Sequence, residues 1–223
     1  MPVDKMMLTA NGLTPPDAWD TVDAHVKKNQ AVYSSSPDRG LYQLLGMLPA
    51  IRREVPDFNL VVAYGFINWE SMCRHRGDAE GLKFIEEIKR AMNQPGVEYV
   101  GRIPKRELAK RQMESKVWLF PSWFTETFCI SSIEAGVSKC ALLSTDLAGL
   151  STTVGSSGIL LPADGLFRNG VYPESYTSRF IEESVRLLKD EPYRAQWAQK
   201  AYDKMQEYQW DRIADKWIEE FNR

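Results

Sequence analysis

Residues 117–136, VWLFPSWFTETFCISSIEAG, constrain the fold more than any other stretch of the chain. Val117, Trp118, Leu119 and Phe120 form a continuous apolar run stopped by Pro121, the pattern of a strand covered on both faces, as in a parallel sheet. After the turn, a helix is expected from near Thr127, capped by Thr125 or Thr127, with Phe128, Ile130, Ile133 and Val137 facing inward. Glu126 and Glu134 stand in this apolar stretch, and a buried carboxylate requires partners. A continuous helix would separate them by roughly 12 Å and about 80° around the axis. The N–H groups of Thr127, Phe128 and Cys129 would then point out of the helix start between them, where unpaired donors and the helix dipole favour an anion. Such a set suits a ligand with a diphosphate in its middle and hydroxyls at both ends. By spacing alone, a first-turn charge at Glu126 and a solvent-edge Glu134 are the commoner arrangement, because Glu is frequent in a first helical turn.

Other apolar runs take their place around this unit. Residues 31–34, 59–64, 97–100, 140–144 and 158–161 read as strands, and 41–54, 79–93 and 105–115 as helices, followed by three helices from Glu174 onward. The alternation predicts an α/β fold: a Rossmann-like open parallel sheet of about six strands with helices on both faces. Residues 1–30 read as a linker-like segment, with the turn pairs Asn11-Gly12 and Pro15-Pro16, and residues 31–223 as the folded domain with its C-terminal helices. Arg39 falls where the strand of residues 31–34 gives way to a helix. Ligands of open parallel sheets bind at the carboxyl ends of the strands, so a cation there can face the anion site, although a surface arginine fits the pattern as well. Cys73, His75 and the RHRGD run read as a solvated surface, and the stripe Trp197, Tyr208, Trp210, Ile213, Trp217 and Phe221 as packing.

Composition narrows the function. A net charge of −2 and a pI near 5.8 give no broad cationic face, which argues against nucleic acid or anionic membrane as the main partner. Cys73, Cys129 and Cys140, with two distant histidines, offer neither a zinc site nor a disulfide framework and suit a reducing compartment. No apolar run is long enough to span a bilayer and the first residues lack a signal-peptide core, so a cytoplasmic location is expected. GxGxxG after a strand, GxxxxGK[ST] and DxD are all missing, which disfavours a dinucleotide oxidoreductase, a P-loop NTPase and a carboxylate-bound manganese site.

The run ETFCISSIEA, with Glu126 and Glu134 at its two acidic positions, resembles the paired-glutamate motif of retaining GT-B glycosyltransferases of the large family 4 group. YSSSPDRGLYQLL, YGF, GRIPKREL, LFPSWF and AGL resemble the donor-binding half of that family in the same order, over nearly the whole chain. The resemblance implies one half of a GT-B fold that binds a nucleoside-diphosphate sugar and transfers a hexose, with retention and without a metal or other cofactor, to a glycan, lipid or protein hydroxyl. It implies that Glu126 holds the transferred sugar, Arg39 contacts the diphosphate, Glu134 holds the ribose, and the turn at Gly101 and Ile103 lies beside the base. Tyr33 stands where many members carry a second cation, leaving Lys105 and Arg102 as candidates. Cys129 replaces a common glycine, and Ser151-Thr152-Thr153 the usual acid. The segment before residue 31 resembles an interdomain boundary, so an acceptor-binding domain on a separate chain is an expected partner. A non-catalytic nucleotide-sugar-binding module, and a sugar-phosphate phosphorylase or synthase, are the alternatives.

Overall fold

The apolar runs become six strands: β1 (Lys28–Tyr33), β2 (Asn59–Val62), β3 (Val97–Tyr99), β4 (Ser115–Phe120), β5 (Ala141–Asp146) and β6 (Ile159–Pro162). The computed structural model, which describes residues 9–13, 19, 21–164 and 172–222, pairs them all in parallel in the order β3-β2-β1-β4-β5-β6. The connections are α1 (Leu41–Glu54), α2 (Ile67–Arg76), α3 (Ala79–Ala91), α4 (Lys105–Met113), α5 (Ile130–Val137) and α6 (Gly149–Thr153); α7 (Glu174–Lys189), α8 (Glu191–Met205) and α9 (Trp210–Phe221) follow. The chain winds outward from β1 to β3, then returns to β4 beside β1. That reversal is the topological switch point of a doubly wound sheet, and it opens a crevice between the loops that follow β1 and β4.

Burial explains the central strands. Tyr33, Trp118 and Phe120 are almost wholly buried and their rings make a continuous cluster, Tyr33 to Phe120 at 5.7 Å and Trp118 to Phe120 at 5.0 Å between centroids. In α1, Leu41, Leu44, Leu45, Leu48 and Ile51 are buried as their spacing predicts. Pro49 inside this helix removes the N–H that would meet the Leu45 carbonyl, and Gln94 Nε2 donates to that carbonyl instead at 3.2 Å.

Several expectations are corrected. Residues 67–76, to which the sequence pattern assigns no element, form α2; of this helix only Cys73 is buried, so it has no apolar stripe to reveal it, and Cys73 lies inside rather than on the solvated surface. The segment before residue 31 is more than linker: β1 starts at Lys28, a short helical turn covers Val22–Ala24, and Trp19 and Val22 are buried. Most of MMLTA, and Pro15-Pro16, lie outside the described residues. The C-terminal stripe divides: Tyr208 and Ile213 pack, while Trp210, Trp217 and Phe221 are exposed. Among the described residues no helix is long and apolar enough to cross a membrane.

The loop after β5 carries backbone strain. Ala148 sits at φ 49°, ψ −127°, a conformation that glycine adopts far more readily, and its side chain is exposed. Ala148→Gly is therefore expected to stabilise the protein by about 1 kcal/mol, raising Tm by roughly 2–4 °C in thermal unfolding.

Candidate functional site at the sheet switch point

The loop after β1 is shaped to present a cation. Tyr33 Oη donates to the Ser36 carbonyl at 2.9 Å, and the Arg39 N–H donates to the same carbonyl at 3.0 Å, closing a tight turn. Gly40 then takes φ 105°, and a Cβ there would stand 2.2 Å from the Pro121 carbonyl oxygen, so only glycine lets the β1 and β4 loops approach this closely. Tyr33, at the position where a second cation was considered, is a buried brace for the Arg39 turn.

Across the crevice, Glu126 accepts two hydrogen bonds from Arg39 Nη1, at 3.0 and 2.8 Å, and Phe124 lies flat beneath the guanidinium at 4.2 Å. Glu126 is buried and Arg39 a third exposed, so the pair is fixed at one end and accessible at the other. Burial pushes the Glu126 carboxyl above its ordinary range against the pull of Arg39, with Asp38 adding to the rise. Polar groups of the β1 loop are incompletely satisfied: Arg39 Nε, Ser34 Oγ and Asp38 Oδ1 are buried without a protein partner. Ser34 and Arg39 line a cavity of about 290 Å³ together with Ser35, Ser36, Tyr64, Glu126 and the segment from Phe128 to Ser131.

The helix start differs from the sequence expectation. α5 begins at Ile130 with Cys129 as its N-cap, three residues later than predicted, and neither Thr125 nor Thr127 caps it. The cause is tertiary: the Glu126 carbonyl, which a helix from this point would offer to the Ile130 N–H, accepts the Gly149 N–H at 2.7 Å, and a Cβ on Gly149 would collide with residues 126 and 127. The first N–H groups of α5 are consequently those of Ile130 and Ser131, and Thr127, Phe128 and Cys129 precede the helix instead of opening it. Phe128 and Cys129 still line the cavity, whereas Thr127 faces a second cavity beside α9, of about 350 Å³. Cys129 is buried and its thiol is pushed up to about 11, so it packs as a neutral, apolar group. The estimated 12 Å between the carboxylates presupposed a helix through both and does not apply.

Glu134 forms a separate polar pair. It is buried on α5, and its carboxylate is held by Lys105 Nζ from the first residue of α4. Gly101, at φ 64°, lines a further cavity with Tyr99 and Arg102, while Ile103 packs against Val32, Val61 and Ala63. The structure thus joins Arg39, Glu126, Phe128 and Cys129 in one cavity, joins Glu134 to Lys105, and leaves Thr127, Gly101 and Ile103 elsewhere. Phe124 and Ser34 were missed by sequence reasoning; the crowding of aromatics in LFPSWF was the available signal for Phe124. Among the described residues, no group of three His, Cys, Asp or Glu side chains is placed to hold a metal ion.

The sequence model of glycosyl transferases group 1 matches residues 24–204. The chain belongs to this family, and its fold is that of the C-terminal domain of a GT-B glycosyltransferase. No curated protein sequence matches it significantly. Similar solved structures include a GtfA/B complex (18% identity, TM-score 0.68, 95% of this chain and 38% of the other). Others are a sucrose-phosphate synthase from Thermosynechococcus elongatus (17%, 0.68, 97% and 52%) and Anabaena HepE in complex with UDP-glucose (13%, 0.68, 99% and 58%). The chain therefore spans between about two-fifths and three-fifths of the length of these proteins.

Glu126 also predicts a pH response. A carboxyl with a raised folded-state pKa binds its proton more tightly folded than unfolded, so its contribution to stability is fully present below the ordinary value of 4.5 and is lost as pH rises through the folded value. Any activity that needs the Glu126 carboxylate should run the other way. Such an activity is expected to fall as pH drops, with its acid limb above 4.5, and this limb should vanish from the pH profile of Glu126→Gln.

Proposed function

We propose that this chain is the donor half of a retaining glycosyltransferase: it holds a nucleoside-diphosphate sugar and passes the hexose to an acceptor hydroxyl. The observation that carries the reading is the Arg39 guanidinium, clamped on Glu126 and Phe124 at the sheet switch point, with unsatisfied donors facing the start of α5. Departure of a nucleoside diphosphate builds negative charge, and a fixed guanidinium together with helix-start amides stabilises it without reorganisation. No metal is assigned a role in this reading. On binding, the donor's sugar hydroxyls would donate hydrogen bonds to the Glu126 carboxylate, and Glu134, freed from Lys105, would accept those of the ribose. Family membership supports the reaction class, and the fold is shared with a pneumococcal O-GlcNAc transferase in complex with UDP and GlcNAc and with HepE bound to UDP-glucose.

The test is calorimetric titration with UDP, GDP and ADP, followed by NMR of the product anomer with the matching nucleotide hexose. Selective binding of one nucleotide, lost in Arg39→Ala, and an axial-to-axial or equatorial-to-equatorial outcome are expected. Binding without turnover in the presence of an acceptor-binding half would favour the non-catalytic module. Binding of none of the three would overturn the donor-site reading.

A further inference from the structure

We infer that Trp19 is a positioning residue for the nucleotide site, acting from the N-terminal segment through the far end of α5; this rests on the assignment of Glu134 to the ribose. Trp19 is buried, and its Nε1–H donates at 2.7 Å to Ser138 Oγ, more than a hundred residues away in sequence. Ser138 Oγ, fully buried, donates in turn at 2.7 Å to the main-chain carbonyl of Glu134, and the Ser138 N–H donates to that same carbonyl at 3.2 Å. The indole ring also lies 5.8 Å from Lys105 Nζ, the cation that pairs with the Glu134 carboxylate. Trp19 thus reaches Glu134 by two routes, one through the backbone and one through its counter-ion.

A neighbour reinforces the arrangement. Lys27 Nζ donates to the Ser138 carbonyl at 2.5 Å and to the Ser115 carbonyl at 2.9 Å, placing a cation at the C-terminal end of α5 and tying it to β4. The helix has only 8 residues and no side-chain cap at its start, so little in α5 itself fixes its position along its axis. The clasp of Trp19 and Lys27 adds to the close packing of Gly136 against Met205 of α8 in setting where Glu134 stands relative to the Arg39 cavity. Nothing local in a tryptophan within a polar segment announces the role; it appears only when Ser138 is brought against it.

The test separates positioning from folding by comparing two probes, the nucleoside diphosphate that binds and inorganic pyrophosphate, which lacks the ribose. Trp19→Phe keeps the ring and removes the donor. It should weaken nucleotide binding about three- to tenfold, the effect of one buried hydrogen bond, and leave pyrophosphate affinity unchanged. Ser138→Ala, which cuts the same chain at its middle joint, should act alike. In the Glu134→Gln background, Trp19→Phe should add less than it does alone, because both act through one group. Parallel loss of nucleotide and pyrophosphate binding, or full additivity with Glu134→Gln, would overturn the inference, as would nucleotide affinity unchanged in Trp19→Phe while Glu134→Gln is impaired. An unimpaired Glu134→Gln would instead overturn the ribose assignment and the inference with it.

Discussion

Glu126→Gln is expected to reduce hexose transfer by at least about a hundredfold while nucleoside-diphosphate affinity stays within about threefold of the parent or tightens. Glutamine keeps the size of the side chain and one acceptor for Arg39 but removes the charge. Arg39 would then carry its positive charge uncompensated, a change that favours rather than weakens an anionic diphosphate. The carboxylate that accepts hydroxyls of the transferred sugar would be gone, and with it an interaction required at the reacting end. The expected signature is a loss in turnover with no loss in binding, measured as hydrolysis of the bound nucleotide hexose with water as acceptor, alongside calorimetry on the same preparation. Breaking a buried pair destabilises as well, so a thermal unfolding control belongs with the assay. Turnover within tenfold of the parent would contradict the role given to Glu126.

Glu134→Ala should produce the opposite signature. A carboxylate bonded to two ribose hydroxyls contributes through charge-assisted hydrogen bonds, and its removal is expected to weaken nucleoside-diphosphate binding by about ten- to a hundredfold. A 2′,3′-dideoxy nucleotide provides the complementary change on the ligand. The parent protein should bind it about as weakly as the alanine variant binds the full nucleotide, and the two changes together should cost little more than either alone. Pyrophosphate, which lacks the ribose, should bind the variant no more weakly than the parent. Removing Glu134 also frees Lys105, whose exposed ammonium could then attract the diphosphate and mask part of the loss; the double variant Glu134→Ala, Lys105→Ala resolves that.

The parts of this site that were legible in the sequence are those that depend on topology. A buried run before Pro121 and the alternation of strands with helices imply a parallel sheet, and such a sheet brings the residues after each strand to one edge; Arg39 and Glu126 are neighbours for that reason. What failed depended on contacts between distant segments. Thr125 and Thr127 are good helix caps, yet the Gly149 amide takes the Glu126 carbonyl and delays the helix to Ile130. Tyr33 looked like a lost phosphate contact and is a brace for the Arg39 turn. The pairing of Lys105 with Glu134 was likewise invisible in the sequence, because it joins α4 to α5. The α2 helix escaped notice because one buried Cys73 cannot produce a periodic apolar pattern. Trp19 escaped because its partner, Ser138, lies at the other end of a helix whose length and start were themselves misjudged.

The most direct test of the central claim is a crystal structure of the chain with the nucleoside diphosphate that binds it. The account predicts diphosphate oxygens within hydrogen-bonding distance of the Arg39 guanidinium and of the Ile130 and Ser131 amides, with the ribose hydroxyls on Glu134 and Lys105 displaced from it. A nucleotide seated instead in the cavity beside α9, or one whose phosphates leave Arg39 and the start of α5 untouched, would contradict it.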